Sequence, residues 1–165
     1  MRHLITLLTV SFLLVSCAST YRNPDGDPAS LAVIKNHYKG NPLNPTIFGD
    51  EEYVTIYAIN GKRVSYDWSW TSGTKKILVA PGNQDLEINV AARKQTVYRQ
   101  KIVRVQFLAQ KGKTYALKGA YSGPDAKFWI EEAETSKKML PVQSVEMTAV
   151  LPVSQAPMII FLPAG

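Results

Sequence analysis

A single cysteine, Cys17, and two histidines, His3 and His37, are all that the 165 residues offer toward thiol or imidazole chemistry. One cysteine forms no intramolecular disulfide, and a structural metal site takes several Cys or His ligands. A nucleophilic thiol wants a base beside it, and nothing in the chain marks His37 as that base. Missing as well are the HExxH, GxSxG, paired-cysteine and phosphate-loop patterns. Long like-charged runs are absent too. Lys and Arg number 19 against 13 Asp and Glu, a net charge of +6, yet the densest basic group, "ARKQTVYRQKIVR", spreads Arg93, Lys94, Arg99, Lys101 and Arg104 along a strand-like stretch. Such spacing reads as a solvated face of mixed charge with a weak pull toward anionic lipid or glycan, and no nucleic acid is expected as a partner. No cofactor and no metal is expected either, and no catalytic residue is assigned.

What is present begins at the N-terminus. Arg2 and His3 precede the apolar run "LITLLTVSFLLV", residues 4–15, which is too short to span a bilayer as a permanent helix. The run ends in "LVSC", Leu14-Val15-Ser16-Cys17, which resembles the lipobox of bacterial lipoproteins. That resemblance implies cleavage between Ser16 and Cys17, diacylation of the Cys17 thiol, and acylation of the new amine by a palmitate-type chain. Residues 1–16 are then a signal peptide. Each buried methylene contributes about 0.8 kcal/mol, and more than one chain gives stable anchoring. A core thiol is a poor alternative beside the polar, turn-rich "STYRNPDGDP". In lipoproteins of Gram-negative bacteria, which this segment resembles, a residue such as Ala18 after the cysteine is associated with export to the outer membrane. An oxidising envelope compartment also suits a mature chain without a free thiol.

The mature chain, 45% hydrophobic and 19% charged over the whole sequence, has the composition of one globular domain. Residues 17–50 read as a tether in which "ASLAVIKNHYK" forms a short helix, capped by Asp27 or Ser30 and ended by Gly40. The same segment is equally well a first helix or strand docked on the domain. From Glu51 the period changes to two. Val54, Ile56 and Ala58 alternate with Tyr53, Thr55 and Tyr57, and Asn60-Gly61 supplies a hairpin turn. Pro81-Gly82 fits a type II turn, after which Leu86, Ile88 and Val90 alternate with Asp85, Glu87 and Asn89. Val103, Val105 and Phe107 follow in one strand, then Tyr115, Leu117, Gly119 and Tyr121, then Phe128 and Ile130 against Trp129 and Glu131. Turns recur about every dozen residues, which predicts an all-β fold: a single antiparallel sandwich of about seven strands over residues 51–138. Residues 139–165 form an apolar tail with one charge, Glu146, in its last 25 residues. It reads either as strands covering the sandwich or as a sticky edge for a partner.

Residues 53–134 resemble a recurrent module of small bacterial envelope lipoproteins, through "YVTIYAINGK", "ILVAPGNQDLEINV", "VQFLAQKGKTYALKG" and "KFWIEE". The "PG" followed by an alternating strand is similar to PEGA-type domains. The resemblance implies a β-sandwich and carries no catalytic set, because the shared residues are turn formers and core positions. Members often have histidine soon after "PG", where this chain has Asn83 and Gln84.

Two further groups bring together side chains capable of chemistry or of stacking. Asp125, Glu131, Glu132 and Glu134 lie close in sequence, but neighbouring strand residues point to opposite faces, so they read as solvated rather than as an acid/base or calcium cluster. In "SYDWSW", Tyr66, Trp68 and Trp70 share one face of a strand. A row of flat rings suits stacking on sugars or on partner side chains; the same row also suits a core face packed on Phe107 and Trp129. The expected partners are therefore the membrane through the lipid, an envelope protein, and peptidoglycan or surface polysaccharide as an alternative. If the row is a glycan face, Trp68→Ala and Trp70→Ala abolish binding to sacculi and barely move the melting temperature. A large loss of stability in both variants marks it instead as core.

Overall fold

The computed structural model describes residues 20–21, 24–25, 27–40, 50–65, 76–94 and 97–150. Among them the chain is all-β, with 12 strands in two sheets. The first sheet runs in the order β1 (Thr20–Tyr21), β5 (Lys62–Val64), β4 (Glu51–Ile59), β7 (Gly82–Lys94), β8 (Val97–Ala109) and β12 (Thr148–Val150). A further strand, β3 (His37–Lys39), pairs with the opening residues of β4. The second sheet is ordered β11 (Lys138–Glu146), β10 (Asp125–Glu132), β9 (Thr114–Ser122), β2 (Ala32–Lys35) and β6 (Lys76–Val79).

The expected sandwich is there, with more strands than the predicted seven and two parallel pairings, β1 with β5 and β2 with β9. The predicted short helix is not. A three-residue 3-10 turn, Pro28–Ser30, is capped by the Asp27 carboxylate, and β2 and β3 follow it. The reason is packing. Ala32 and Ile34 lie on one side at period two and are fully buried between β6 and β9, whereas a helix would carry the β-branched Val33 and Ile34 side by side around its circumference. This part of the 17–50 segment therefore belongs to the core. At the other end Leu140 and Met147 are buried as well, so the packed unit runs beyond residues 51–138 in both directions.

Inward-facing Val54 and Ile56 of β4, Leu86, Ile88 and Val90 of β7, and Phe107 of β8 meet Ile77, Val79, Tyr115, Leu117, Phe128 and Ile130 of the second sheet. The ring edge of Phe107 stands on Tyr115 at 4.8 Å between centroids, a favoured aromatic geometry. Asn60 and Gly61 both have positive φ, 49° and 75°, as the tight hairpin between β4 and β5 requires. One corner is made by a strand that changes sheets. β11 leaves the second sheet at Met147, whose N–H donates to the Pro124 carbonyl at 2.9 Å, and the chain continues as β12 on β8.

Two substitutions test this packing by urea denaturation. Phe128→Ala empties a fully buried site and is expected to cost about 3–5 kcal/mol. A Cβ at Gly119 would stand 2.7 Å from Val54 Cγ2 and 2.9 Å from the Tyr121 ring, so Gly119→Ala is expected to cost about 1–3 kcal/mol through overpacking.

Candidate partner-binding edge

Of the four carboxylates considered for chemistry, Glu131 and Glu132 are held in ion pairs. Glu131 accepts from the Trp129 indole at 2.9 Å and lies 3.3 Å from Lys118 Nζ. Glu132 meets Lys113 Nζ at 2.6 Å and accepts from Thr135 Oγ1 at 2.6 Å. Hydrogen bonds from Trp129 to Glu131 and from Lys113 to Glu132 hold both below the usual carboxylate range. The two lie on opposite faces, as expected, but Glu132 is buried rather than solvated. Trp129 is half-buried on the outer face of its sheet, with Lys138 Nζ 5.4 Å above its ring, while Phe107 is in the core. Among the described residues no group of three or more His, Cys, Asp or Glu is placed to hold a metal ion.

A second polar cluster closes the open end of β4 and β7. Glu51, buried, takes the Arg93 guanidinium at 2.6 Å and accepts from the hydroxyls of Tyr38 (3.3 Å) and Tyr53. Arg93 thus leaves the basic face that the sequence pattern assigned to it. Arg104 is drawn in too, 2.7 Å from Glu87 and 3.6 Å from Asp85. Gln84 is buried, accepting from Asn60 Nδ2 at 2.9 Å and donating to the Ala80 carbonyl at 3.0 Å. It ties the β4–β5 hairpin to the Pro81-Gly82 turn, a structural task. A shallow concavity of about 550 Å³ at the end of β9, β10 and β11 is lined by Ser122, Asp125, Lys127, Ser144 and Glu146, among others. Neither serine there has a histidine beside it in the lining.

The strand edges are what the fold leaves open. β1 has two residues and β6 four, and the outer edge of β11 carries Pro141 at its middle. Short strands and proline are the usual protections of an edge. β8 differs. It pairs with β7 over its whole length, but β12 covers only Tyr98, Arg99 and Gln100 on the other side. Among the described residues nothing pairs with the outer edge of residues 101–109. On the outer face of the same stretch Leu108 is 55% and Ile102 42% exposed. Val103, Val105 and Phe107 carry the inward alternation of this strand, and the two outward positions, Ile102 and Leu108, are apolar as well. The signal was the loss of alternation at the two ends of "IVRVQFL". Ser16, Cys17, Tyr66, Trp68 and Trp70 lie outside the described residues, as do residues 151–165 of the tail.

Comparison with protein-family models, with curated proteins and with solved structures finds no significant match to this chain.

His37, on β3, sits half-buried with Lys118 of β9, Glu52 of β4 and Lys39 of its own strand around it. Burial first, and the Lys118 charge second, push its imidazole below 6.5. A histidine that binds its proton less readily folded than unfolded favours the unfolded chain as pH falls below the unfolded value. Stability from this residue is therefore expected to drop on acidification below pH 6.5 and to be flat above it. His37→Gln should flatten the pH 7 to pH 5 segment of a denaturation series, and an unchanged slope sinks the assignment.

Proposed function

We propose that this chain is an outer-membrane-anchored periplasmic lipoprotein, a non-enzymatic binding or assembly module of the cell envelope, which docks another protein chain on the outer edge of β8. The observation that carries the reading is that edge, which no other described strand pairs: along residues 101–109 the backbone N–H and C=O groups of alternate residues point away from β7, and Ile102 and Leu108 are exposed on the same stretch. An extended segment laid along such an edge gains main-chain hydrogen bonds and side-chain contacts together. "LVSC" supports the anchor at Cys17, and the pairing of Glu131 and Glu132 with lysines favours a structural over a catalytic use of those groups. The alternative is a glycan-binding lipoprotein for peptidoglycan or surface polysaccharide, favoured by the two-residue spacing of Tyr66, Trp68 and Trp70.

In-cell crosslinking of the full-length protein at native expression, read by mass spectrometry, tests this reading. The expected result is one dominant protein adduct, lost in the variant carrying Ile102→Lys and Leu108→Lys, with Cys17→Ser shifting the protein out of the membrane fraction. Peptidoglycan fragments without a protein adduct, unaffected by the two lysines, would overturn the edge reading in favour of the aromatic row.

A further inference from the structure

We infer that the chain docked on β8 is a second copy of this protein, with the two β8 strands paired antiparallel about Val105. The inference rests on the reading of the β8 edge as a contact surface and adds the identity of what occupies it.

The limits of the free edge set the geometry. At one end Thr148 of β12 sits opposite Gln100. At the other, Gln110 opens the turn to β9, with the Lys113 N–H donating back to its carbonyl at 3.2 Å. Residues 101–109 lie between, and their midpoint is Val105. A two-fold axis there pairs residues whose numbers add to 210: Lys101 with Ala109, Ile102 with Leu108, Val103 with Phe107 and Arg104 with Gln106. Each copy then turns away at Gln110, where the other copy's Thr148 begins.

The residues match in that register. The two exposed apolar side chains, Ile102 and Leu108, become cross-strand neighbours twice over, once on each side of the axis. No like charges stand opposite one another, and Arg104 enters already neutralised by Glu87 and Asp85 of its own copy. Neighbouring registers are worse. Centring on Arg104 sets it against its own copy and Ile102 against Gln106, and centring on Gln106 sets Arg104 against Leu108. Odd sums put inward residues opposite outward ones. Directly opposed like charges are destabilising and apolar cross-strand pairs stabilising, so charge and shape both select Val105. The contact is isologous and closes at two copies.

Cysteine pairs read the register. Opposed residues of antiparallel strands have Cα atoms about 4.5–5.5 Å apart, within disulfide reach, whereas Ile102 lies six residues, roughly 20 Å, from its own copy. In membranes from cells making the full-length protein, oxidation of the double variant Ile102→Cys, Leu108→Cys should give a covalent dimer. Either single variant should stay monomeric. Dimer formed equally by the single variants would overturn the Val105 register. A monomer throughout, with the crosslinking experiment above still giving a lysine-sensitive adduct to a different protein, would overturn the second copy and leave the edge reading standing. Loss of both signals would remove both. Unchanged far-ultraviolet circular dichroism spectra of the cysteine and lysine variants, expected because both side chains are exposed within one copy, separate these outcomes from misfolding.

Discussion

Everything in this fold hangs on the strict alternation along β7. Leu86, Ile88 and Val90 are fully buried on one face, and the same strand is paired from Gly82 to Lys94 with β8 and from Leu86 to Arg93 with β4. A slip of one residue against either neighbour would turn those three side chains to solvent and bring Glu87 and Asn89 inward. The register is pinned again at the turn end, where Asn60 exchanges backbone and side-chain hydrogen bonds with Asp85. Once β7 is set, the second sheet has one apolar face to cover, and Phe128, Ile130, Tyr115 and Leu117 cover it.

The polar groups that escape this alternation are nearly all spent on closing the ends of the sheets. Glu51 with Arg93 and the two tyrosines seals the start of β4, and Glu132 with Lys113 and Thr135 secures the turn after β10. A carboxylate engaged by a cation and a hydroxyl is costly to release, because the desolvated charge would be left without partners. Such groups serve the architecture. Among the described residues the stretch of main chain without a strand beside it is the outer edge of residues 101–109 of β8.

The strands that alternate cleanly were legible from the residues alone: β4, β7, β9 and β10 bury the faces their period of two implies, and Asn60-Gly61 makes the turn its positive φ suits. Two features were not. β2 is four residues long, and a short apolar run has no period of its own; only its seat between β6 and β9 makes Val33 and Ile34 a strand. The open edge of β8 was hidden for a different reason. Whether a strand is central or marginal depends on which strand lies beside it, and the coverage of Tyr98, Arg99 and Gln100 by β12 is a pairing over 50 residues of sequence. Ile102 and Leu108 were visible as a break in alternation, but a break acquires meaning only beside an edge.

β1 and the free stretch of β8 belong to one sheet and are four strand steps apart, with β5, β4 and β7 between them. Strands are spaced about 4.8 Å, so the two borders are separated by roughly 19 Å along the sheet. Thr20 is three residues from Cys17, a tether of at most about 11 Å, so the lipid proposed on Cys17 would keep the β1 border at the membrane surface. In the proposed two-fold pair the β1 borders would fall at opposite extremes of a joined sheet, nine steps or roughly 43 Å from one another. Both lipids then reach one leaflet only with the joined sheet lying along the membrane like a raft. Standing upright, the same pair would have its anchors facing opposite ways and would bridge two membranes instead.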